Sequence, residues 1–200
     1  MSIFLAELKR VARDLNESAV PWCLVGGLAT SVYTEPRTTK DVDVVVSVSG
    51  DPDSEQLRAF LRGRGYTGES MLLHALPTFK MGWRLMIPPS NGVNIPVDIL
   101  SSVCGFEAEI IQGSEKFEIL PGVILPVASL GHLMAMKILS QNNTDRIQDR
   151  ADLLALLKAA RELDVSLARG FVARISGSLY ANSRDLVAEF DSLRNSVSAQ

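Results

Sequence analysis

The chain is expected to fold as an α/β (α+β) protein, a mixed sheet flanked by helices and followed by a C-terminal helical bundle. Three observations predict this. Strand-length apolar runs alternate with helix-period segments up to about residue 125. Beyond Pro126 the apolar residues recur only at helical spacing. A 46% hydrophobic content over 200 residues, with a mean hydropathy of +0.15, supplies core for one sizeable domain or two small ones. The change of character divides the chain into 1–125 and 126–200.

The elements follow in order. Phe4, Leu8, Val11 and Leu15 share one helical face, and the helix ends near Asn16-Glu-Ser. Trp22–Val25 reads as a strand, Leu28–Tyr33 as a short helix, and Asp41–Val48 as a second strand. Gly50-Asp-Pro-Asp-Ser is loop and cap for a helix carrying Leu57, Phe60 and Leu61, which stops at Gly63 or Gly65. Met81–Ile87 and Val93–Leu100 form two strands joined by the turn Pro88-Pro-Ser-Asn-Gly. Phe117–Leu125 is a short strand or hairpin around Pro121-Gly122. In the last third, Ser129 caps a helix bearing Leu130, Leu133, Met134, Lys137 and Ile138. Asn142-Asn-Thr-Asp opens a second with Ile147, Leu153, Leu154, Leu156 and Leu157. Leu167, Phe171 and Ile175 mark a third, and Leu186, Val187, Phe190 and Leu193 a fourth, with residues from Asn195 onward frayed.

Composition excludes several classes. A net charge of -3 lacks the basic surplus of a general nucleic-acid binder, so any polynucleotide contact is local. Cys23 and Cys104 are far apart and without CxxC spacing, which reads as two reduced core thiols of a cytoplasmic protein. No apolar stretch approaches the roughly 20 residues that span a bilayer, and charge enters too early for a signal peptide. There is no Gly-Lys-Ser/Thr of a phosphate-binding loop and no Gly-x-Ser-x-Gly around Ser101-Ser102. His74 and His132 lack a partner at ligand spacing and read as structural. Trp22 and Trp83 lie in strand-like runs and read as core or pocket wall.

The chemistry concentrates in one stretch. An apolar run breaks at Gly26-Gly27 and the chain then reaches Arg37-Thr-Thr-Lys-Asp-Val-Asp43. A helix starting after the glycines offers free N–H groups and the positive end of its dipole, which suits a phosphate, and glycine lets that phosphate approach. Asp41 and Asp43 share one face of a strand, with Val42 opposite. Crowded acids repel, and a hard divalent cation with oxygen ligands relieves them. Asp98 faces away from Val97 and Ile99 in the Asn94–Leu100 run. If that strand lies beside the Asp41 strand, three carboxylates converge on a patch suited to two magnesium ions, a nucleotide's phosphates and an attacking hydroxyl. The plain alternative for Asp98 is a strand-end acid facing water.

Together these residues resemble the nucleotidyltransferase superfamily with the DNA polymerase β-like fold. Within it the wording is most similar to the bacterial AbiEii and MenT-type nucleotidyltransferases of type IV toxin–antitoxin systems. The signature covers about residues 20–46, and Met136-Lys137 with Arg146-Ile-Gln-Asp-Arg-Ala-Asp-Leu153 extends it more weakly. Glycine stands where the family often has serine as second residue of the turn, and the gap from Gly27 to Asp41 is long. The resemblance implies a nucleotidyltransferase fold and transfer of an NMP from an NTP, with ATP among the substrates and Mg2+ or Mn2+ as cofactor. Asp41, Asp43 and Asp98 would hold metal, and Gly26 and Gly27 would cradle phosphates. Lys137 would serve the triphosphate, against its plain reading as an exposed helix lysine. Arg37 has two readings, a phosphate contact or a brace for the loop. Asp149 would support the lysine or the base, whereas a solvated charged face also explains Asp149, Arg150, Asp152 and Arg146.

The implied acceptor is tRNA, a protein or a small molecule such as an aminoglycoside. The weak charge favours the last two, and the toxin-like resemblance favours tRNA and a cognate antitoxin as partner. The alternative is a non-catalytic nucleotide- or partner-binding module that keeps the fold.

Overall fold

The computed structural model of the chain describes residues 3–73, 80–87, 94–101, 104–141 and 147–198. Its elements in chain order are α1 (Ile3–Glu17), β1 (Trp22–Val25), α2 (Gly26–Tyr33), β2 (Val42–Val46), α3 (Asp51–Gly63), β3 (Thr67–Leu73), β4 (Lys80–Met86) and β5 (Pro96–Leu100). They continue with α4 (Glu107–Gln112), β6 (Glu115–Leu120), β7 (Val123–Val127), α5 (Leu130–Ser140), α6 (Ile147–Ala159), α7 (Glu162–Ser176), a 3-10 turn (Leu179–Ala181) and α8 (Leu186–Ser198).

Seven strands form one mixed sheet in the order β3-β4-β5-β2-β1-β7-β6. The centre is β5-β2-β1. Strands β2 and β5 run parallel with Asp43 beside Asp98, and β1 runs antiparallel to β2 with Val25 beside Asp43. All four residues of β1 are buried, as are four of the five in β2. Such runs need cover on both faces, which explains why they read as continuous Val and Leu rather than as alternation. The exception in β2 is Asp43, and its position marks where the cover opens.

Helix α5 runs through the centre of the helical half. Ser129 caps it by accepting the His132 N–H, and nine of its eleven residues are buried against α2, α6, α7 and α8. A helix apolar on all sides belongs in an interior, so its one cation, Lys137, enters the interior with it. The far end of α5 is tied down by Arg184, which donates to the carbonyls of Ile138 and Leu139 at 3.1 and 2.9 Å and pairs with Glu189.

Several expectations change. Helix α2 begins at Gly26 itself, and β2 begins at Val42, one residue after Asp41. The hairpin around Pro121-Gly122 is real, with Gly122 at φ +74. Strand β3 and helix α4 were not foreseen. β3 is a sheet-edge strand of mixed, largely exposed residues (Thr67-Gly-Glu-Ser-Met) without alternation, and α4 spans only six residues. Leu167 points outward at 41% exposure while Phe171 and Ile175 are buried. Helix α8 continues to Ser198 instead of fraying from Asn195. Cys23 and Cys104 are buried free thiols, Trp22 and Trp83 are core, and His132 packs edge-on against Phe171 with Ser129 Oγ 2.9 Å from its Nδ1. The Pro88–Gly92 turn, the Asn142–Asp145 helix opener, His74, Ser102 and Arg146 lie outside the described residues. No helix among those described is long and apolar enough to cross a membrane.

Candidate active site

The carboxylate end of β2 and β5 opens into a cleft of about 650 Å³. Asp41, Asp43 and Asp98 stand together there, with one oxygen from each within 4.8 Å of the other two. The parallel register explains it: Asp43 and Asp98 are cross-strand neighbours on one face, and Asp41 reaches the same face from just before β2. Asp98 is thus a nearly buried member of the trio at 7% exposure, not a water-facing strand end. Thr39 Oγ1 steadies Asp41 by donating to its Oδ1 at 3.0 Å.

The carboxylates strain one another electrostatically. Burial, then the charges of Asp41 and Asp98, push the Asp43 carboxyl up to about 7, against a smaller pull from Lys137 and the Gly27 N–H. Gly26 makes that burial possible. It sits at φ +64, where a Cβ would overlap the Asp43 carboxylate. A Cβ on Gly27 would lie 2.8 Å from Arg37 Nη2 and 3.1 Å from Thr39 Oγ1. In the protein alone the glycine pair therefore makes room for the acid and the Arg37 loop.

Across the cleft, Lys137 donates to Asp149 Oδ1 at 2.6 Å and lies 2.8 Å from Asp152 Oδ2. Burial alone would lower its pKa, but the two carboxylates outweigh that and hold the ammonium charged. Arg37 forks onto Asp152, Nε to Oδ1 at 2.9 Å and Nη2 to Oδ2 at 2.8 Å. That is the loop-bracing reading: the Arg37 side chain ties the segment before β2 to α6. Asp152 receives Gln148 as well, and these donors overcome its burial to keep its carboxyl below the ordinary range. The solvated-face reading of α6 fails for Asp152, which is 2% exposed, whereas Arg150 does look outward.

Two participants were missed by the sequence reading. Asp152 has no role of its own in the sequence reading beyond a share in a solvated charged face, although its three-residue spacing from Asp149 puts both on one helix face, which Lys137 meets. Arg84 on β4 was not singled out. Its guanidinium donates to both oxygens of Asp98 at 2.7 Å each and lies 3.6 Å from Asp41. The available signal was alternation: Trp83 and Leu85 are buried and Arg84 points the other way.

A family model described as the nucleotidyl transferase AbiEii toxin of type IV toxin–antitoxin systems matches residues 10–191. The chain belongs to the AbiEii nucleotidyltransferase family. It is a transferase enzyme, with the three carboxylates at the centre of its cleft. Solved structures share the fold of this nucleotidyltransferase. ANT(2'')-Ia in complex with adenylyl-2''-tobramycin aligns over 86% of this chain and 99% of its own, at 15% identity and TM-score 0.54. An antigenic nucleotidyltransferase-like protein from Paracoccidioides brasiliensis aligns over 92% and 88%, at 14% identity and TM-score 0.52. No curated protein matches the chain.

The residues fit a divalent metal. All three donors are carboxylates, the set hard cations prefer. The excess negative charge is visible in the raised Asp43 carboxyl and in a guanidinium already resting on the other two acids.

Proposed function

We propose that the enzyme transfers an NMP from an NTP to an acceptor hydroxyl, with Mg2+ or Mn2+ held by Asp41, Asp43 and Asp98. The observation that carries this reading is the carboxylate trio on adjacent strands, facing Lys137 across one cleft. In the step, the acceptor oxygen attacks the α-phosphorus, the bond to the bridging oxygen breaks, and pyrophosphate leaves with its electron pair. The metal, when bound, neutralises phosphate charge and lowers the pKa of the acceptor hydroxyl. Asp98, beside Asp43 on the neighbouring strand, takes the hydroxyl proton. Gly26 and Gly27 at the start of α2 offer N–H groups to phosphate oxygens. Lys137, kept charged by Asp149, balances the charge that grows as pyrophosphate departs. Arg37 acts through Asp152, holding the loop that ends in Asp41 against α6.

For the acceptor, tRNA follows from the toxin family, and a protein or small-molecule hydroxyl from the weak net charge; a cognate antitoxin is the implied protein partner. The protein is incubated with each α-labelled NTP, Mg2+ or Mn2+, and in turn tRNA, cell protein or an aminoglycoside. The expected result is label on one acceptor class with matching pyrophosphate. Absence of pyrophosphate with every acceptor, together with metal-dependent NTP stabilisation, overturns the catalytic reading in favour of a binding module. A nucleotide at 100 times its Kd adds about 2.7 kcal/mol, which a melt detects readily.

A further inference from the structure

We infer that Arg84 is the resident cation of this site, occupying Asp98 and Asp41 until a divalent ion displaces it, and so sets how tightly the enzyme takes up metal. The inference rests on the reading that the trio holds a divalent ion. Three features carry it. Both oxygens of Asp98 are engaged by the guanidinium, Nε and Nη2 at 2.7 Å each, so Asp98 offers a metal no oxygen free of a cation. The same Nη2 lies 3.6 Å from Asp41, so one planar fork spans two of the three ligands. Of the other cleft cations, Arg37 is committed to Asp152 and Lys137 to Asp149 and Asp152, while Lys40 is a solvent-exposed lysine of the lining.

The placement is built into the sheet. Arg84 and Asp98 are cross-strand partners in the β4–β5 register, with Trp83 and Leu85 anchored in the core on the opposite face. The pair is not a screened surface contact, since the Asp98 side chain is only 10% exposed. Arg84 itself is 38% exposed and opens onto the cleft, so it has water to move into when a dication arrives. The arginine stays charged at any working pH. Metal entry therefore competes with a permanent positive charge, and Asp43, which Arg84 does not bridge, is left as the entry ligand.

Mn2+ uptake decides it, read from the electron-spin resonance signal of unbound Mn2+ and, separately, from melting shifts, with no nucleotide present. Arg84→Gln should bind Mn2+ about tenfold or more tightly than the parent, because a decade is a small part of the repulsion between a unit charge and a dication at contact range. Without metal it should melt lower than the parent, and with metal its rise should be larger. Arg84→Lys, which keeps the charge but loses the fork, should fall between, and it carries the test if Arg84→Gln does not fold. Parent-like Mn2+ affinity in both variants overturns the role of Arg84 alone. Asp43→Asn separates the underlying reading: if it takes up Mn2+ as the parent does, the trio is not the metal site and both readings fall.

Discussion

Asp152→Ala removes the acid that joins the two halves of the site, and its cost can be worked from the contacts. Asp152 accepts from Arg37 twice, from Gln148 and from Lys137, at 2.8 to 3.0 Å. Removing one partner of a buried pair costs about 3–5 kcal/mol, chiefly by stranding the opposite charge. Here the lower end applies. Arg37 is 31% exposed and can turn to water, while Lys137 keeps Asp149. A loss of about 3 kcal/mol in a chain of this length lowers Tm by about 6–12 °C. The sign of the pH dependence is fixed by two groups. The Asp152 carboxyl is held below its ordinary 3.8, so its stabilisation is present above that value and is lost as pH falls through the native one. The Lys137 ammonium is held above its ordinary 10.5, so its share is present below that value and is lost as pH rises through the native one. The gap between parent and variant should be widest near neutrality and close in strong acid. Calorimetric melts across pH provide the measurement, with Asp191→Ala as control. That acid pairs with Arg169 at the surface, a contact worth about 0–1 kcal/mol. An Asp152→Ala Tm matching that of the control, or a gap unchanged in strong acid, refutes the reasoning.

Three further outcomes are expected. Gly26→Ala must place a side chain at φ +64 and against the Asp43 carboxylate; the backbone alone costs about 1–2 kcal/mol, so Tm should drop and the Mn2+-induced rise vanish, whereas a parent-like melt contradicts the packing argument. In EDTA, stability should fall as pH rises from about 4 to about 7. The native Asp43 carboxyl is raised from 3.8 to about 7, so its favourable contribution is complete below 3.8 and is lost as pH rises through the native value; Asp43→Asn should flatten the profile, and a parent already flat there counts against it. Lys137→Ala should reduce kcat by about 10²–10³, the usual loss for one electrostatic donor, while the exposed Lys158→Ala should leave kcat unchanged; equal rates in the two variants would return Lys137 to a structural role.

What the sequence disclosed depended on how local each signal was. Asp41 and Asp43 are two residues apart and needed only strand alternation. Asp98 needed one assumption, adjacency of two strands, which the parallel β2–β5 register satisfies. Arg84 required a second pairing on top of the first, across β4 and β5, and no local pattern gives that register. Lys137 and Asp152 were harder for a different reason. Each is a charge on a helix, and the usual expectation for such residues is solvent. Their burial follows from α5 being enclosed by four other helices, a property of the assembly rather than of either segment. The strand β3 escaped because it places polar and glycine residues (67–70) before an apolar end, which leaves no alternation to read at this sheet edge.

The anchoring of α5 by Arg184 bears on how such a chain can be shortened or recombined. The carbonyls it holds, those of Ile138 and Leu139, directly follow the lysine of the cleft, yet the arginine comes from the stretch between α7 and α8, 45 residues beyond Leu139. The segment leading into α8 is thus mechanically in series with the cleft that holds Lys137. Grafting a foreign tail after α6, or ending the polypeptide before Arg184, would free the end of α5 one residue from Lys137. Exchange of the C-terminal part therefore keeps this anchor only where Arg184 and its partner Glu189 are both retained.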